Sequence, residues 1–339
     1  VIKKILVTGG AGFIGSHTCV ELLNQGYELV VVDNLQHSSF KSLEVIQSLT
    51  SRSICFYQID IRDQDQLEAI FEHEHIDAVI HFAGLKVVSE SIYAPLEYYE
   101  NNVSGTITLL EVMKKFACKN IIFSSSASVY GDLAAVPILE SAPRSTTVPY
   151  ARTKLIIEDL LIDLARSDAK WNIVILRYFN PIGAHPSGDL GEDPKGLPTN
   201  LLPYVTQVAS GQLKEVQVFG ADYKTKDGTG VRDYIHVVDL ARGHVAAIQK
   251  LAKGSRLSIY NLGTGKGSSV LDIITEMEAV VGHPIAYQLV ERRAGDIAVS
   301  YADVSKAKAE LHWQANFDLR RMCEDSWRWQ CRHPLGFEE

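Results

Sequence analysis

The run Lys4-Ile5-Leu6-Val7-Thr8, continued without a break by Gly9-Gly10-Ala11-Gly12-Phe13-Ile14-Gly15, decides the fold. An apolar strand of five residues ends on Gly9, and Gly9, Gly12 and Gly15 recur every third position where a helical pattern opens. So tight a turn needs backbone freedom, a pyrophosphate needs close approach to main-chain N–H groups, and the helix must pack closely on the strand. The helix start also offers the positive end of its dipole to an anion. The next strand candidate, 28–33, ends on Asp33. A carboxylate there accepts hydrogen bonds from ribose hydroxyls and repels a 2′-phosphate, which favours NAD over NADP. The plainer alternative makes Asp33 a turn residue ahead of Asn34.

Further strand candidates follow at 54–58, 78–82, 120–124 and 172–177, separated by segments long enough for helices. Continuous runs such as Leu29-Val30-Val31-Val32 belong to strands buried on both faces, hence to a parallel sheet covered by helices. The βαβ rhythm predicts an α/β fold, a Rossmann-type doubly wound parallel sheet. From Pro181 the chain turns rich in turn formers, as in His185-Pro186-Ser187-Gly188 and Gly191-Glu192-Asp193-Pro194. The expected division is a nucleotide-binding domain over 1–180 and a smaller mixed α/β substrate domain over 181–339. A strand at 258–262 is expected to return to the first sheet, so the division need not be one cut.

The 339 residues are 46% hydrophobic and 22% charged, with a formal net charge of -8 and no Lys/Arg-rich run, which argues against a nucleic-acid partner. Cys19, Cys55, Cys118, Cys323 and Cys331 are odd in number and scattered, a pattern of reduced cytoplasmic thiols without metal-ligand spacing. The apolar run at the N-terminus is too short for a signal peptide. No stretch approaches the roughly 18 apolar residues of a spanning helix, so a soluble protein without a membrane partner is expected. His73-Glu74-His75 puts two imidazoles on different faces of a helix, so no metal is expected there. Asp189, Glu192 and Asp193 read as turn chemistry.

Tyr150 and Lys154 stand four apart at the start of a helical pattern and share one face. A phenol titrates near pH 10, too high for a base at neutral pH; a nearby ammonium and a cationic nicotinamide ring stabilise the phenolate. Tyr and Lys at this spacing are common by chance. Here they follow a nucleotide fingerprint and the run Ser124-Ser125-Ser126-Ala127-Ser128, in which Ser126 can orient the same hydroxyl.

Together with Asp60-Ile61-Arg62, His81-Phe82-Ala83-Gly84-Leu85-Lys86, Asn101-Asn102, Arg177-Tyr178-Phe179-Asn180-Pro181, the run 230–236 and Arg292-Arg293-Ala294-Gly295-Asp296, these segments resemble the extended short-chain dehydrogenases/reductases. Within them the likeness is to the UDP-galactose 4-epimerases, and it runs from end to end.

The resemblance implies an NAD-dependent isomerase that interconverts UDP-galactose and UDP-glucose through a 4-keto sugar. Tyr150 would take the proton of the 4-hydroxyl, Lys154 would hold the nicotinamide ribose and tune Tyr150, and Ser126 would bridge to the hydroxyl. The cofactor falls to Gly9, Gly12, Phe13, Ile14 and Gly15 in the turn, and to Asp33, Asn34 and Ser38 beyond the second strand. Asp60 and Ile61 are assigned to the adenine, Phe82, Ala83, Gly84 and Lys86 to phosphates and ribose, with Asn101, Ser124 and Tyr178 in support. The UDP-sugar falls to Lys86, Ser126, Tyr150, Asn180, Asn200, Leu201, Gln217, Phe219, Arg232, Tyr234, Arg293, Asp296 and Ser300. Arg232 and Arg293 suit a diphosphate through paired, charge-assisted hydrogen bonds; without the resemblance each reads as a surface ion-pair partner.

Two positions depart from the pattern. His37 stands where some relatives carry an asparagine, so that contact is not carried over. Ser300 stands where some relatives carry a bulky tyrosine; a serine leaves room for a 2-acetamido group and so for UDP-N-acetylglucosamine. A 4,6-dehydratase or decarboxylase is the nearest rival, but Ala127 and Ser128 follow the serines where an elimination needs an acid/base carboxyl pair. A non-catalytic dinucleotide sensor has no use for the Tyr150, Lys154 and Ser126 set. The resemblance also implies a homodimer, formed through helices within 95–116 and 151–166.

Overall fold

The computed structural model describes residues 1–132, 135–293 and 295–337. In chain order the first part runs β1 (Lys4–Thr8), α1 (Phe13–Asn24), β2 (Glu28–Val32), α2 (Phe40–Thr50), β3 (Cys55–Tyr57), α3 (Gln64–Glu74) and β4 (Ala78–His81). It continues with α4 (Val88–Tyr93), α5 (Pro95–Tyr98), α6 (Gly105–Lys115), β5 (Asn120–Ser126), α7 (Pro149–Ser167) and β6 (Asn172–Tyr178). Then come β7 (Asn180–Ile182), α8 (Leu201–Ala209), β8 (Val216–Phe219), β9 (Val231–Arg232), β10 (Tyr234–His236), α9 (Val237–Ala252) and β11 (Leu257–Leu262). The chain closes with β12 (Ser268–Ser269), α10 (Val270–Val281), β13 (Tyr287–Val290), β14 (Val299–Ser300), α11 (Ser305–Leu311) and α12 (Leu319–Arg332).

Seven strands form one sheet in the order β11-β6-β5-β4-β1-β2-β3, and every pairing in it is parallel. The doubly wound Rossmann-type α/β fold is thus what the chain adopts. Alternation along each strand explains why the apolar runs are unbroken. Ile5 and Val7 face one apolar layer with Val20 and Leu23 of α1, Ile46 of α2 and Ile248 of α9. Leu6 faces the opposite layer with Leu67 and Ile70 of α3, Val112 of α6 and Leu161 of α7. Each such side chain withdrawn from water contributes about 1.5–3 kcal/mol, so a strand packed on both faces gains from every residue. The order reverses between β1 and β4, which opens a crevice beyond the carboxyl ends of those strands.

The returning strand is real: β11 pairs with β6 along its length, Leu257 beside Ile173 through Leu262 beside Tyr178. Beyond this sheet lie three short ones, β10-β7, β12-β9-β14 and β13-β8. Residues of β7, β8 and β10 share an apolar cluster with α8, α10 and α12 that contains Val205, Val218, Ile273, Met277 and Met322. A capping box starts α10: the Ser269 hydroxyl accepts from Asp272 N, and the Asp272 carboxylate accepts from Ser269 N.

The segment 95–116 is not one continuous helix. A π-helical stretch, Tyr99–Ser104, interrupts it between α5 and α6. The widened turn has a local use. The Asn102 side chain leaves the helix to accept from Leu85 N at 2.8 Å and donate to Leu85 O at 3.0 Å, standing in for a strand partner to the loop after β4.

Candidate active site

The glycine turn is shaped by contact as well as by conformation. Gly9 has φ +70°, and a Cβ there would stand 2.7 Å from Ala83 N. A Cβ on Gly15 would stand 2.2 Å from Gly9 O, so α1 sits directly on the turn. The first residue before α1 is Gly12, which has no side chain to cap the helix, leaving early N–H groups for a ligand. Asp33 has the turn role that the sequence offered as the plainer alternative, and it also stands at the cleft. Its carboxylate accepts from Ala11 N (3.1 Å), Leu35 N (2.9 Å) and the Ser38 hydroxyl (2.7 Å), and it also lines the crevice. Asp60 is held by Arg62, whose Nε and Nη2 each donate at 2.9 Å, and by Asn34 at 3.1 Å. Hydrogen bonding from Arg62 brings its pKa down to about 2.

At the far end of β5 the catalytic candidates meet. Pro149 opens α7, so Tyr150 lies in its first turn and Lys154 one turn later on the same face. The Ser126 hydroxyl lies close enough to the Tyr150 phenol to act on its acidity. Lys154 is buried, donates to Ser124 O at 2.8 Å, and lies 4.9 Å over the Phe123 ring. Burial lowers its pKa to about 8, with the Glu158 charge opposing the fall. Burial pushes the Tyr150 pKa up, and the neighbouring Ser126 hydroxyl pulls it down.

Tyr178 is fixed from behind by His244. The imidazole Nδ1 faces Leu240 O at 2.9 Å and must donate to it, so Nε2 is left to accept from the Tyr178 hydroxyl. Burial drops the His244 pKa to about 4, which keeps the ring neutral in this role.

A single cleft of about 490 Å³ is lined by every residue assigned to the cofactor: Gly9, Gly12 to Gly15, Asp33, Asn34, Ser38, Asp60, Ile61, Phe82, Ala83, Gly84, Lys86, Asn101, Ser124, Tyr150, Lys154 and Tyr178. Of the sugar-nucleotide set, Lys86, Ser126, Tyr150, Asn180 and Asn200 line it, whereas Leu201, Gln217, Phe219, Arg232, Tyr234, Arg293, Asp296 and Ser300 lie outside its lining.

Most of these eight gather in a second group. Gln217 and Phe219 are on β8, and the Arg293 guanidinium lies 4.3 Å over the Phe219 ring with its Nε 3.4 Å from Asp296. Arg232 on β9 stands in register with Ser300 on β14. Ser300 is buried there, a place set by pairing with β9 rather than by facing the cleft. Ala294 of the expected motif lies outside the described residues. Hydrogen bonds connect the group to the cleft: Asp233 N donates to Ser300 O, and Asn180 N donates to Asp233 O, each at 2.9 Å. A Cβ on Gly295 would stand 3.6 Å from Val148, two residues before Tyr150.

Residues 5–263 match the model of the NAD dependent epimerase/dehydratase family. The chain belongs to that family. It is similar to the UDP-glucose 4-epimerase of Bacillus subtilis, with 54% identity over 334 residues that cover 98% of each chain. The human UDP-glucose 4-epimerase is 54% identical over 343 residues, covering 99% of this chain and 98% of that one. The crystal structure of UDP-glucose 4-epimerase from Bifidobacterium longum in complex with NAD+ and UDP superposes with a TM-score of 0.96 at 54% identity, covering 98% of this chain and 100% of that one.

In this member of the epimerase/dehydratase family the cleft also has a wall that the sequence reading passed over. Glu192, taken as turn chemistry, points its carboxylate at Lys86 Nζ (3.1 Å) and Asn200 Nδ2 (2.5 Å). Its backbone is pinned by Trp329, whose indole donates to Glu192 O at 3.1 Å. Lys195, three residues on, donates to Leu35 O and Gln36 O at 3.2 Å, carrying the same segment across to the Asp33 end. His37, Phe179 and Thr199 line the cleft as well. Phe179 was within reach of the sequence, since it sits between two residues already assigned; the acidic loop carried no spacing signal.

Proposed function

We propose that this chain is an NAD-dependent isomerase that interconverts UDP-galactose and UDP-glucose through a bound 4-keto sugar. The observation that carries the reading is the meeting of Tyr150, Ser126 and Lys154 at one end of a cleft whose other end is the glycine turn. The cleft fits the cofactor: the uncapped start of α1 suits a pyrophosphate, and Asp33 and Asp60 suit the adenosine.

The chemistry supplied by bound NAD is hydride acceptance at one face of C4 and hydride return at the other. The protein does the rest. Tyr150 takes the proton of the 4-hydroxyl and later gives it back, with Ser126 bridging oxygen to oxygen. Burial raises the phenol pKa, and the Lys154 ammonium one turn along α7 supplies positive charge that favours the phenolate, to which a bound oxidised nicotinamide ring would add. Lys86, Asn180 and Asn200 face the sugar from the cleft wall. Arg232 and Arg293 take the diphosphate and Asp296 the nucleoside, with Leu201, Gln217, Phe219 and Tyr234 around them and Ser300 beside Arg232 near the sugar.

The assembly is a homodimer in this reading. Val88, Ile92, Tyr93, Leu96, Ile107 and Ile156 are exposed on α4, α5, α6 and α7, which is more apolar surface than lone helices present to water. The place of work in this reading is the cytoplasm, which five free cysteines suit; no described helix is long and apolar enough to cross a membrane. The two-part division, 1–180 for the cofactor and 181–339 for the UDP-sugar, is kept with β11 and α9 lent back to the first part; 338–339 lie outside the described residues.

Purified protein incubated with UDP-galactose and no added nicotinamide should yield UDP-glucose, and denaturation should release near-stoichiometric NAD or NADH. Protein that emerges empty and reduces added NAD with substrate is a dehydrogenase, and this reading is then wrong.

A further inference from the structure

Three consecutive residues at the end of β5 are tied to three successive turns of α7. Ser126 lies beside the Tyr150 phenol, the Ser124 carbonyl accepts from Lys154, and the Ser125 hydroxyl donates to Glu158 Oε1 at 2.5 Å. Tyr150, Lys154 and Glu158 follow one another at intervals of four, so they form one stripe down the helix. The first two belong to the site already described. Glu158 does not: it is fully buried and away from the cleft lining.

The carboxylate of Glu158 is saturated. Besides Ser125, it accepts from Arg177 Nε (2.9 Å) and Nη2 (2.7 Å) and from Arg144 Nη1 (3.2 Å). Arg177 in turn donates to the Tyr130 hydroxyl (2.8 Å) and Glu140 O (3.0 Å), and Tyr130 donates to Asn261 on β11 (2.6 Å). A carboxylate needed only to neutralise Arg177 has no use for a serine from the neighbouring strand. That extra bond fixes the register between strand and helix at the residue adjoining Ser126.

We propose that Glu158, acting through Ser125, is a positioning residue that locks the end of β5 to α7 and so holds Ser126 and Lys154 against the Tyr150 phenol. The inference rests on the reading of Tyr150 as the proton acceptor. Transfer between two hydroxyls tolerates little displacement, so loosening the lock slows the chemical step and leaves ligand binding in place.

Charge adds a second readout. The titratable and charged groups around Lys154 are Tyr150 and Glu158 on its own helix, His81 on β4, and Arg177 and Tyr178 on β6. Burial keeps His81 neutral, with its pKa lowered to about 3. Glu158 is the anion that opposes deprotonation of Lys154. Removing its charge therefore lets the ammonium lose its proton at lower pH, and the alkaline limb of activity moves acidward.

The experiment compares the holoenzyme with Ser125→Ala, Glu158→Gln and Tyr150→Phe, reading kcat, KM for UDP-galactose, bound NAD and the pH profile. Ser125→Ala should lower kcat about tenfold with KM and bound NAD unchanged. Glu158→Gln, which keeps an acceptor for Ser125, should shift the alkaline limb to lower pH. Should Glu158→Gln fail to fold because Arg177 loses its buried partner, Ser125→Ala decides alone. A Ser125→Ala kcat within about twofold of the parent overturns the proposal, as does a fall in kcat shared with lost cofactor or a raised KM. Tyr150→Phe separates the two levels. An inactive Tyr150→Phe beside a normal Ser125→Ala removes only the lock, whereas an active Tyr150→Phe removes the reading beneath it.

Discussion

The two ends of the cleft are built from different materials. At the cofactor end, Gly9 N donates to Val32 O at 2.8 Å, Ala83 N donates to the Thr8 hydroxyl at 3.3 Å, and that hydroxyl meets His81 Nδ1 at 2.7 Å. These contacts are uncharged, largely buried and made by backbone or by side chains rooted in the parallel sheet, with the Asp60–Arg62 pair as the charged exception at this end. At the sugar-nucleotide end, the cations are held by the chain's own acids: Lys86 by Glu192 at 3.1 Å, Arg293 by Asp296 at 3.4 Å and Arg292 by Asp222 at 2.7 Å. The first kind of scaffold is complete before any ligand arrives. The second kind is paired within itself, so an anion reaching Lys86 or Arg293 would have to compete with Glu192 or Asp296. An exposed pair such as Arg293 with Asp296 is worth at most about 1 kcal/mol, so the exchange is cheap. One end is therefore suited to retaining a ligand and the other to trading one.

Tyr150 sits at the join, and replacing it gives the largest effect. Tyr150→Phe should lower kcat by about 10²–10⁴ while bound NAD stays near the parent level, since losing one hydroxyl leaves the glycine turn, Asp33 and Asp60 in place. Measured turnover of UDP-galactose together with nicotinamide released on denaturation checks both halves of that statement. Next comes an attack on the rigid end. Gly15→Ala puts a Cβ 2.2 Å from Gly9 O and 2.9 Å from Gly10 Cα, both backbone atoms that cannot step aside. The turn must open, so bound NAD should fall to a minor fraction and Tm should drop by several degrees; full cofactor occupancy in this variant would show that the close packing of α1 is not what shapes the turn.

The same difference explains what could be read from the sequence. Lys4–Thr8, the glycine series and Asp33 were legible because a parallel strand buried on both faces and a turn pressed against backbone allow few residue types. The Tyr150 and Lys154 spacing was legible because helix geometry alone puts them together. Glu192 was not, since its importance comes from Trp329 holding its carbonyl from 137 positions away, which no local pattern announces. Likewise the π-helical stretch at Tyr99–Ser104 is paid for by the Asn102 contacts with Leu85, 17 residues away, while the local sequence reads as ordinary helix.

At the tradable end the expected effect is smaller and falls on binding. Arg293→Ala removes the guanidinium that stacks 4.3 Å over Phe219 and pairs with Asp296. A lost charge-assisted contact of about 1.5–3 kcal/mol should raise KM for UDP-galactose by roughly 10- to 100-fold with kcat little altered. The Kd for UDP, measured by calorimetry, should rise in step and should weaken further with added salt. A fall in kcat at unchanged KM would place Arg293 in the chemistry and erase the contrast drawn here.

The smallest effect on the hexose reaction is expected at Ser300, where the two kinds of scaffold come closest. Ser300 is buried on β14 in register with Arg232, and its carbonyl accepts from Asp233 N, the residue whose own carbonyl accepts from Asn180 N at the cleft. Bulk added at 300 therefore presses on a ladder that leads to the sugar, from a two-residue strand paired only with β9. Overpacking of this kind costs about 1–3 kcal/mol when the surroundings are rigid and less when a short strand can yield. Ser300→Tyr should leave turnover of UDP-galactose within about threefold of the parent. It should lower turnover of UDP-N-acetylgalactosamine further than that of UDP-galactose, because strain passed through Asp233 to Asn180 at the cleft leaves least tolerance for the bulkier 2-acetamido sugar. Product analysis of both substrates on both proteins decides the matter: equal loss of the two activities, or no N-acetyl activity in the parent, means that the size of residue 300 does not set the sugar range.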